Sequence, residues 1–256
     1  MEVPFIEIDA EKKWYYSKDP MAQISGPRGS GKTYFIYYLL LSTAEIGADI
    51  YILDPKRSDL SSLRFCYPEE YRNNRVATTP AQICKILREV CELMNERYEQ
   101  YFEVETSNLG DDYLSLGLQP IFVFFDEVLA MVEEDSKLGK EAEKYLKQII
   151  LKGRQSGIYA IISSQRLSAD AMSTVIRENA GMRVVLGKVQ PESYRMGLGE
   201  SFKNLPSARK GIGQGYIYLD GQGWETPKAF TAPYLDMSKI NFRQLFKKMI
   251  EKNLDL

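Results

Sequence analysis

The chain has 256 residues, of which 44% are hydrophobic, enough to bury the core of one large α/β domain. It contains no histidine, which excludes His-based zinc sites, Ser-His-Asp triads and histidine general bases. The formal net charge of −2 gives no overall attraction to nucleic acid, so any DNA contact requires locally concentrated basic residues.

The length of the apolar runs and the use of cysteine indicate where in the cell the protein is located. No apolar run is long enough to cross a bilayer, and the acidic N-terminus lacks the basic start of a signal peptide. We therefore expect a cytoplasmic protein, held at the inner face of the membrane only through an anchor or partner outside this chain. Reduced, buried thiols are a better interpretation than a metal site for the three cysteines, Cys66, Cys84 and Cys91.

A phosphate-binding motif stands between the first predicted strand, residues 21–25, and a predicted core helix, residues 34–44. Residues 26–33 match G-x-x-x-x-G-K-[ST] in full, although an ordinary glycine-rich turn is the alternative. Glycines let backbone N–H groups curl around phosphate oxygens, and the N-terminus of the following helix adds partial positive charge. Lys32 would reach the β and γ phosphates, and the Thr33 hydroxyl would hold Mg²⁺. The predicted ATP-binding residues are Gly26, Pro27, Arg28, Gly29, Ser30, Gly31, Lys32, Thr33 and Tyr34.

The next elements continue the alternation of strand and helix. Residues 48–53 read as a second buried strand, which ends at Asp54. Thr79 followed by Pro80 predicts the start of a helix, whose apolar stripe runs at three-and-four spacing to Phe102. Residues 108–119 hold glycines and acidic residues and predict a surface loop.

Two acidic residues follow the most hydrophobic strand, residues 120–125. In ATPases that hydrolyse nucleotide, one carboxylate organises the Mg²⁺ shell and its neighbour polarises the attacking water, and we assign these roles to Asp126 and Glu127. A solvated acidic strand end is the alternative. Asp54, which also follows a strand, is then expected to be a structural or coupling residue.

A helix over residues 136–152, closed by Gly153, leads to strands at residues 158–164 and 182–186. Gln165 ends the first of these strands, where it could sense the γ-phosphate or water, or simply terminate the strand. Arg154 suits a phosphate in a neighbouring subunit, although taken alone it reads as a solvated residue at a helix C-terminus. The alternation predicts a mostly parallel sheet with helices on both faces, in a single domain of residues 1–256.

Several further motifs occur in a fixed order. Asp-Pro-Lys follows the second strand, at residues 54–56, and Gly-Arg-x-x-Gly-Ile, at residues 153–158, precedes a Ser-Gln-Arg strand end. In this order the chain resembles the motor domain of the FtsK/SpoIIIE family of DNA translocases, within the FtsK–HerA group. The resemblance covers about residues 15–235 and is nearest to coupling proteins of Gram-positive conjugative elements. The matching stretches are residues 24–33, 51–56, 121–127, 152–158, 163–166 and 176–179, with Arg183 beyond them.

The resemblance implies a RecA-like P-loop ATPase core that assembles into a ring, usually a hexamer, around double-stranded DNA. Nucleotide would lie between subunits, so that Arg154 reaches the neighbouring site and acts there with Lys32 and Glu127. Pro191 stands where the family often has a second cross-subunit basic residue, so Lys188 or Arg195 would have to substitute. Tyr159 stands where a histidine is common.

DNA contact is expected from basic residues near the channel, each of which reads as solvated surface when taken alone. The candidates are Lys56, Arg57, Arg166, Lys203, Arg209 and Lys210. An amphipathic basic helix at about residues 240–254 is expected to pack on the core or a neighbour rather than on a membrane.

The leading hypothesis is a Mg²⁺-dependent ATPase that moves double-stranded DNA during conjugative transfer, with a relaxase or secretion-channel protein as a further partner. A ring ATPase that drives protein or phage-particle export is the alternative. A nucleotide-dependent docking protein is the third hypothesis.

Overall fold

The computed structural model describes residues 3–165, 174–202, 205–208 and 211–254. Their strands are β1 (Ile6–Asp9), β2 (Lys12–Trp14), β3 (Met21–Ser25), β4 (Asp49–Leu53), β5 (Val76–Ala77), β6 (Ile121–Asp126), β7 (Ile158–Ser164), β8 (Met182–Leu186), β9 (Gln214–Leu219) and β10 (Lys228–Thr231). Their α-helices are α1 (Lys32–Glu45), α2 (Arg72–Arg75), α3 (Pro80–Arg97), α4 (Val128–Glu134), α5 (Ser136–Ser156), α6 (Thr174–Glu178), α7 (Pro191–Leu198) and α8 (Phe242–Asn253).

Eight strands form one mixed sheet in the order β10-β9-β8-β3-β7-β6-β4-β5, while β1 and β2 form a separate antiparallel hairpin. The six strands from β8 to β5 pair in parallel, which confirms the predicted α/β fold with a mostly parallel sheet. Strands β9 and β10 extend the sheet by antiparallel pairing beside β8. Sequence patterning did not predict this extension.

Side chains of each central strand alternate between two apolar layers. In β6, Phe122 and Phe124 face the layer that contains α1, whereas Val123 and Phe125 face the layer that contains α3 and α5. A strand buried on both faces reads as a continuous apolar run, which is why β6 was recognisable from sequence. The buried residues of β6 hold the strand in place, and so fix the position of Asp126, its last residue, at the edge of the sheet.

Helices α3 and α5 lie parallel on one face of the sheet. Cys84 donates its S–H to the Leu138 carbonyl at 3.3 Å, and Cys91 donates to the Tyr145 carbonyl at 3.5 Å. Donors and acceptors are both seven residues apart, about two helical turns, so the two contacts repeat along the helix pair. All three cysteines are buried and free, as the sequence predicted.

The prediction that Gly153 closes the long helix is wrong. Helix α5 continues to Ser156, and Gly157 ends it in the left-handed conformation at φ 75°. Gly153 instead permits close packing, because a Cβ there would lie 2.2 Å from the Ile158 carbonyl oxygen. The predicted loop at residues 108–119 contains turns, but it places Tyr113 in the core with 1% of its surface exposed.

The helix predicted from Pro80 also changes character near its end. Thr79 caps it by accepting from the Gln82 N–H at 3.4 Å, as expected, but the α-helix ends at Arg97 and continues as a π-helical turn over Tyr98–Phe102.

Among the residues that the structure describes, no helix combines the length and apolar character needed to span a bilayer.

Candidate active site

The phosphate-binding motif lies in the turn between β3 and α1, at the carboxyl edge of the parallel sheet. Gly29 and Gly31 adopt positive φ angles of 79° and 94°, which non-glycine residues rarely adopt. Gly31 also sits against another backbone, since a Cβ there would lie 2.6 Å from the Gly213 nitrogen. Helix α1 begins at Lys32 and directs its N-terminus at the turn.

A segment from the antiparallel extension holds this loop. The Gly213 N–H donates to the Ser30 carbonyl at 2.8 Å, and the Gly213 carbonyl accepts from Ala232 at 2.8 Å. Ser30 is buried, and its hydroxyl oxygen has no hydrogen-bond partner within the described part of the chain. Sequence reasoning missed Gly213, whose only signal was the Gly-Ile-Gly at residues 211–213.

Lys32 joins the two acidic residues. Its Nζ lies 3.1 Å from Asp126 Oδ1 and 2.9 Å from Glu127 Oε1. Glu127 is 4% exposed and takes a left-handed backbone conformation at φ 53°, while its N–H donates to the Ser163 carbonyl at 2.9 Å. The Ser163 hydroxyl donates to Asp126 Oδ1. The structure thus brings together the lysine and both carboxylates that the sequence grouped.

Lys56 joins the same cluster from the turn after β4. Its Nζ lies 3.2 Å from Glu127 Oε2, and its side chain is 42% exposed. The sequence named Lys56 only as a candidate DNA contact, so this ion pair was missed. Arg57, also a candidate, is exposed at φ 52°. Four other candidates lie outside the described residues: Arg166, Lys203, Arg209 and Lys210.

Asp54 holds the turn that carries Lys56. Its Oδ2 accepts from the Ser58 hydroxyl at 2.9 Å and from the Ser61 N–H at 3.0 Å. Burial raises the pKa of Asp54; the Ser58 hydrogen bond opposes that shift, and the negative charge of Asp126 adds to it. This geometry fits the structural or coupling role expected for Asp54.

Gln165 follows β7 and is exposed at the rim of a cavity of about 600 Å³ beside the phosphate loop. Gly26, Pro27, Arg28 and Lys188 line the same cavity. The site residues Thr33 and Tyr34 are exposed and line a second cavity, of about 460 Å³.

The two basic residues considered as substitutes at Pro191 differ in their surroundings. Lys188 faces the cavity beside the phosphate loop. Arg195 is held by Glu192 and Glu200, with its NH1 2.6 Å from Glu200 Oε1. Arg195 is therefore engaged by residues of its own chain, and Lys188 is the residue nearer to the phosphate loop.

Arg154 does not lie near the phosphate loop of its own chain. It occupies the last turn of α5, before β7 begins, whereas Gln165 and the loop lie beyond the end of that strand. The seven residues of β7 separate these two edges by about 20 Å at about 3.3 Å per residue. Arg154 is exposed there and lines a cavity with Lys18 and Asp112.

The donor set fits Mg²⁺. Asp126 offers a partly exposed carboxylate and Thr33 an exposed hydroxyl at the start of α1, and Mg²⁺ favours a few oxygen ligands while keeping several waters. Within the described ranges no cluster of three or more His, Cys, Asp or Glu side chains offers a dedicated metal cage. The ion pair between Lys32 and Asp126 holds the carboxylate at the edge of the loop.

Comparisons with known proteins agree with this geometry. No protein-family model matches the chain. The chain is 35% identical over 204 residues to the FtsK domain-containing protein YdcQ of Bacillus subtilis, covering 79% of this chain and 41% of YdcQ. It is 27% identical over 215 residues to the DNA translocase FtsK of Streptococcus pneumoniae, covering 78% of this chain and 27% of that protein.

A solved structure of the pCW3 conjugation coupling protein TcpA, in a monomer form with ATPγS, shares the fold. It has a TM-score of 0.76 and 20% identity, covering 93% of this chain and 67% of that one. The sheet, phosphate loop and paired acids thus define a P-loop ATPase domain with a RecA-like core. The chain spans less than half the length of the two curated relatives named above. These relatives confirm the resemblance to the FtsK/SpoIIIE family seen in its motifs.

Proposed function

We propose that this chain is a motor domain that hydrolyses ATP to move double-stranded DNA, and that it acts in the transfer of a conjugative plasmid or element. The observation that carries the proposal is the position of Lys32, which begins the helix after the phosphate loop and lies 3.1 Å from Asp126 and 2.9 Å from Glu127. A phosphate chain in the loop would meet a lysine, backbone N–H groups and two carboxylates with distinct tasks.

Lys32 would leave the carboxylates when ATP binds. The triphosphate carries more negative charge than either side chain, so it attracts the Nζ toward the β and γ phosphates. Glu127 then accepts a proton from the attacking water as the water oxygen bonds to the γ phosphorus. The bond from the γ phosphorus to the bridging oxygen breaks, and ADP takes that electron pair.

Thr33 and Asp126 are the residues that would hold Mg²⁺ beside the phosphates. The ion would neutralise charge that develops on the phosphate oxygens. Asp126 would contribute directly or through water, and Ser163 would keep its carboxylate oriented by the hydrogen bond to Oδ1.

The proposal that the motor moves DNA is supported by the similarity of the chain to the DNA translocase FtsK of Streptococcus pneumoniae. The conjugative role is supported by the likeness to the coupling protein TcpA, the solved structure with a TM-score of 0.76. In this proposal the chain assembles head to tail in a ring, with Arg154 of one copy at the phosphate loop of the next.

The test is ATP hydrolysis by the purified chain with and without long double-stranded DNA, at several protein concentrations and two salt levels. Lys32→Ala provides the background. We expect stimulation by DNA that rises cooperatively with protein concentration and weakens at high salt, because phosphate contacts release counterions. Nucleotide binding without any DNA response, at high concentration and low salt, would favour protein export or docking instead.

A further inference from the structure

Glu127 is held by two lysines whose surroundings differ. Lys32 contacts Oε1 at 2.9 Å with its side chain 8% exposed, and Lys56 contacts Oε2 at 3.2 Å with its side chain 42% exposed. Each carboxylate oxygen of Glu127 therefore carries an ammonium group. Each contact takes one of the two lone pairs of its oxygen, so it competes with a water for that oxygen.

Under the proposed function, nucleotide would relieve only one of these contacts. Lys32 lies in the phosphate loop and would turn to the phosphates, which would free Oε1. Lys56 lies outside the loop, on the turn after β4, so we expect its contact with Oε2 to remain when nucleotide binds. A lysine on one oxygen fixes the rotation of the whole carboxylate, so it restricts how Glu127 can meet an attacking water.

The turn that carries Lys56 is built to hold it in place and also to expose it. The Arg57 N–H donates to the Asp54 carbonyl at 3.1 Å, and the Asp54 carboxylate accepts from Ser58 and Ser61. Lys56 and Arg57 are both exposed beside each other. Two adjacent exposed cations offer a contact to a phosphate backbone, which attracts lysine and arginine regardless of base sequence.

We infer that Lys56 is a positioning residue that restrains Glu127, and that a nucleic-acid phosphate backbone releases Glu127 by drawing Lys56 away. This inference rests on the proposed function, because it explains how DNA would stimulate hydrolysis. Lys56 acts on the reaction only through Glu127, without touching the nucleotide. Its effect belongs to the turnover step and leaves nucleotide affinity unchanged.

The experiment measures hydrolysis by the full chain, with and without double-stranded DNA, for the unaltered protein and for Lys56→Gln and Lys56→Arg. In Lys56→Gln we expect kcat without DNA to rise about fivefold, the effect of losing one partly exposed ion pair. KM for ATP stays within about twofold, since the lost contact is not to nucleotide. The ratio of stimulated to unstimulated rates falls, and Lys56→Arg restores both rates.

The matched control is Lys147→Gln. Lys147 forms an ion pair with Glu143 at 3.0 Å on α5, with its side chain 36% exposed, so the variant removes a similar contact and the same charge away from the site. Its rates should equal those of the unaltered chain. An unstimulated rate in Lys56→Gln that is unchanged or lower, with the DNA ratio intact, overturns the inference. Absence of DNA stimulation in the unaltered chain overturns the proposed function itself. This outcome is therefore distinguishable from a failure of the inference about Lys56 alone.

Discussion

Asp126 and Glu127 are neighbours in sequence and share Lys32, but their other partners differ. Asp126 is partly exposed and accepts from Ser163, whereas Glu127 is 4% exposed and lies between Lys32 and Lys56. The left-handed backbone at Glu127 costs about 1–3 kcal/mol in a non-glycine residue, and it turns both side chains toward one lysine. A local strain at this position is consistent with a site whose two carboxylates have separate tasks.

Replacing Glu127 by glutamine should separate binding from turnover. The amide keeps the shape of the side chain but cannot accept a proton from water, so we expect hydrolysis to fall by about 10²–10⁴-fold. Nucleotide affinity should stay near that of the unaltered chain, as measured by equilibrium binding of a fluorescent ATP analogue. Lys32→Ala serves as the comparison, because it should lose affinity as well. A Glu127→Gln chain that still hydrolyses ATP at the original rate would remove Glu127 from the mechanism.

Asp19 should make stability depend on pH. Its side chain is buried against Gly181 and Gly221. Burial raises the pKa of Asp19 to about 7, the negative charge of Asp220 adds to the shift, and Lys18 opposes it. The folded chain therefore keeps a proton that the unfolded chain releases above about pH 4, so stability falls as pH rises toward 7.

The variant Asp19→Asn removes this ionisation. We expect it to be more stable than the unaltered chain at pH 8, by about 1–2 kcal/mol, with a smaller difference at pH 5. Urea unfolding at the two pH values measures it, and the exposed Glu105→Gln is the control. If the stability of Asp19→Asn and that of the unaltered chain depend equally on pH, Asp19 does not titrate in this range.

Helix α8 shows how an amphipathic basic segment is used. Its apolar residues Phe242, Phe246 and Ile250 are buried against α1 and the short 3₁₀ helix Asp59–Cys66. The Phe246 ring packs edge-on against Tyr67 at 6.2 Å between centroids. The helix was expected to pack on the core or on a neighbour. It packs on the core, and its lysines remain on the outer side.

Phe246→Ala should destabilise the fold. Phe246 is fully buried, and its removal leaves a cavity between α8 and the core, so we expect a loss of about 3–5 kcal/mol in the free energy of unfolding. The adjacent Leu245 is 37% exposed, and Leu245→Ala should cost far less. Chemical denaturation of both variants measures the difference. Similar losses in the two would mean that α8 does not depend on its buried face.

At the scale of the whole molecule, the phosphate loop and Arg154 occupy opposite edges of the parallel sheet. One strand length separates them, so a single copy cannot complete a site that requires both. A head-to-tail contact between copies would bring the two edges together.

Mixing two inactive variants tests this arrangement. Arg154→Ala keeps the phosphate loop but lacks the arginine, and Lys32→Ala keeps the arginine but lacks the lysine of the loop. Each variant alone should therefore lose most hydrolysis. We expect mixtures to recover activity, because a Lys32→Ala copy can supply its arginine to a neighbouring Arg154→Ala copy. Hydrolysis is measured against the mixing ratio at fixed total protein. Full activity of Arg154→Ala alone, or no recovery on mixing, would exclude the role in a neighbouring site.

Sequence patterns predicted what depends on local chemistry and burial on both faces. The apolar run of β6, the cap at Thr79 and the phosphate loop all have residue-level signals, and the structure has each of them. The end of α5 was misplaced because two glycines, Gly153 and Gly157, stand near it, and both pack closely. Only the left-handed backbone of Gly157 marks it as the residue that ends the helix. The contact of Lys56 with Glu127 joins distant turns, for which no local spacing exists.

The hydrogen bond from Gly213 to the Ser30 carbonyl has a consequence for truncating the chain or transplanting the motif. Residues 26–33 suffice for recognition by pattern, yet the loop they form is completed by backbone from the distal end of the chain. The motif is thus not modular: a chain truncated before Gly213 would retain every matching letter and lose the support under Gly31. Genetic dissection that scores only the motif would misassign such a truncation as a binding-competent fragment.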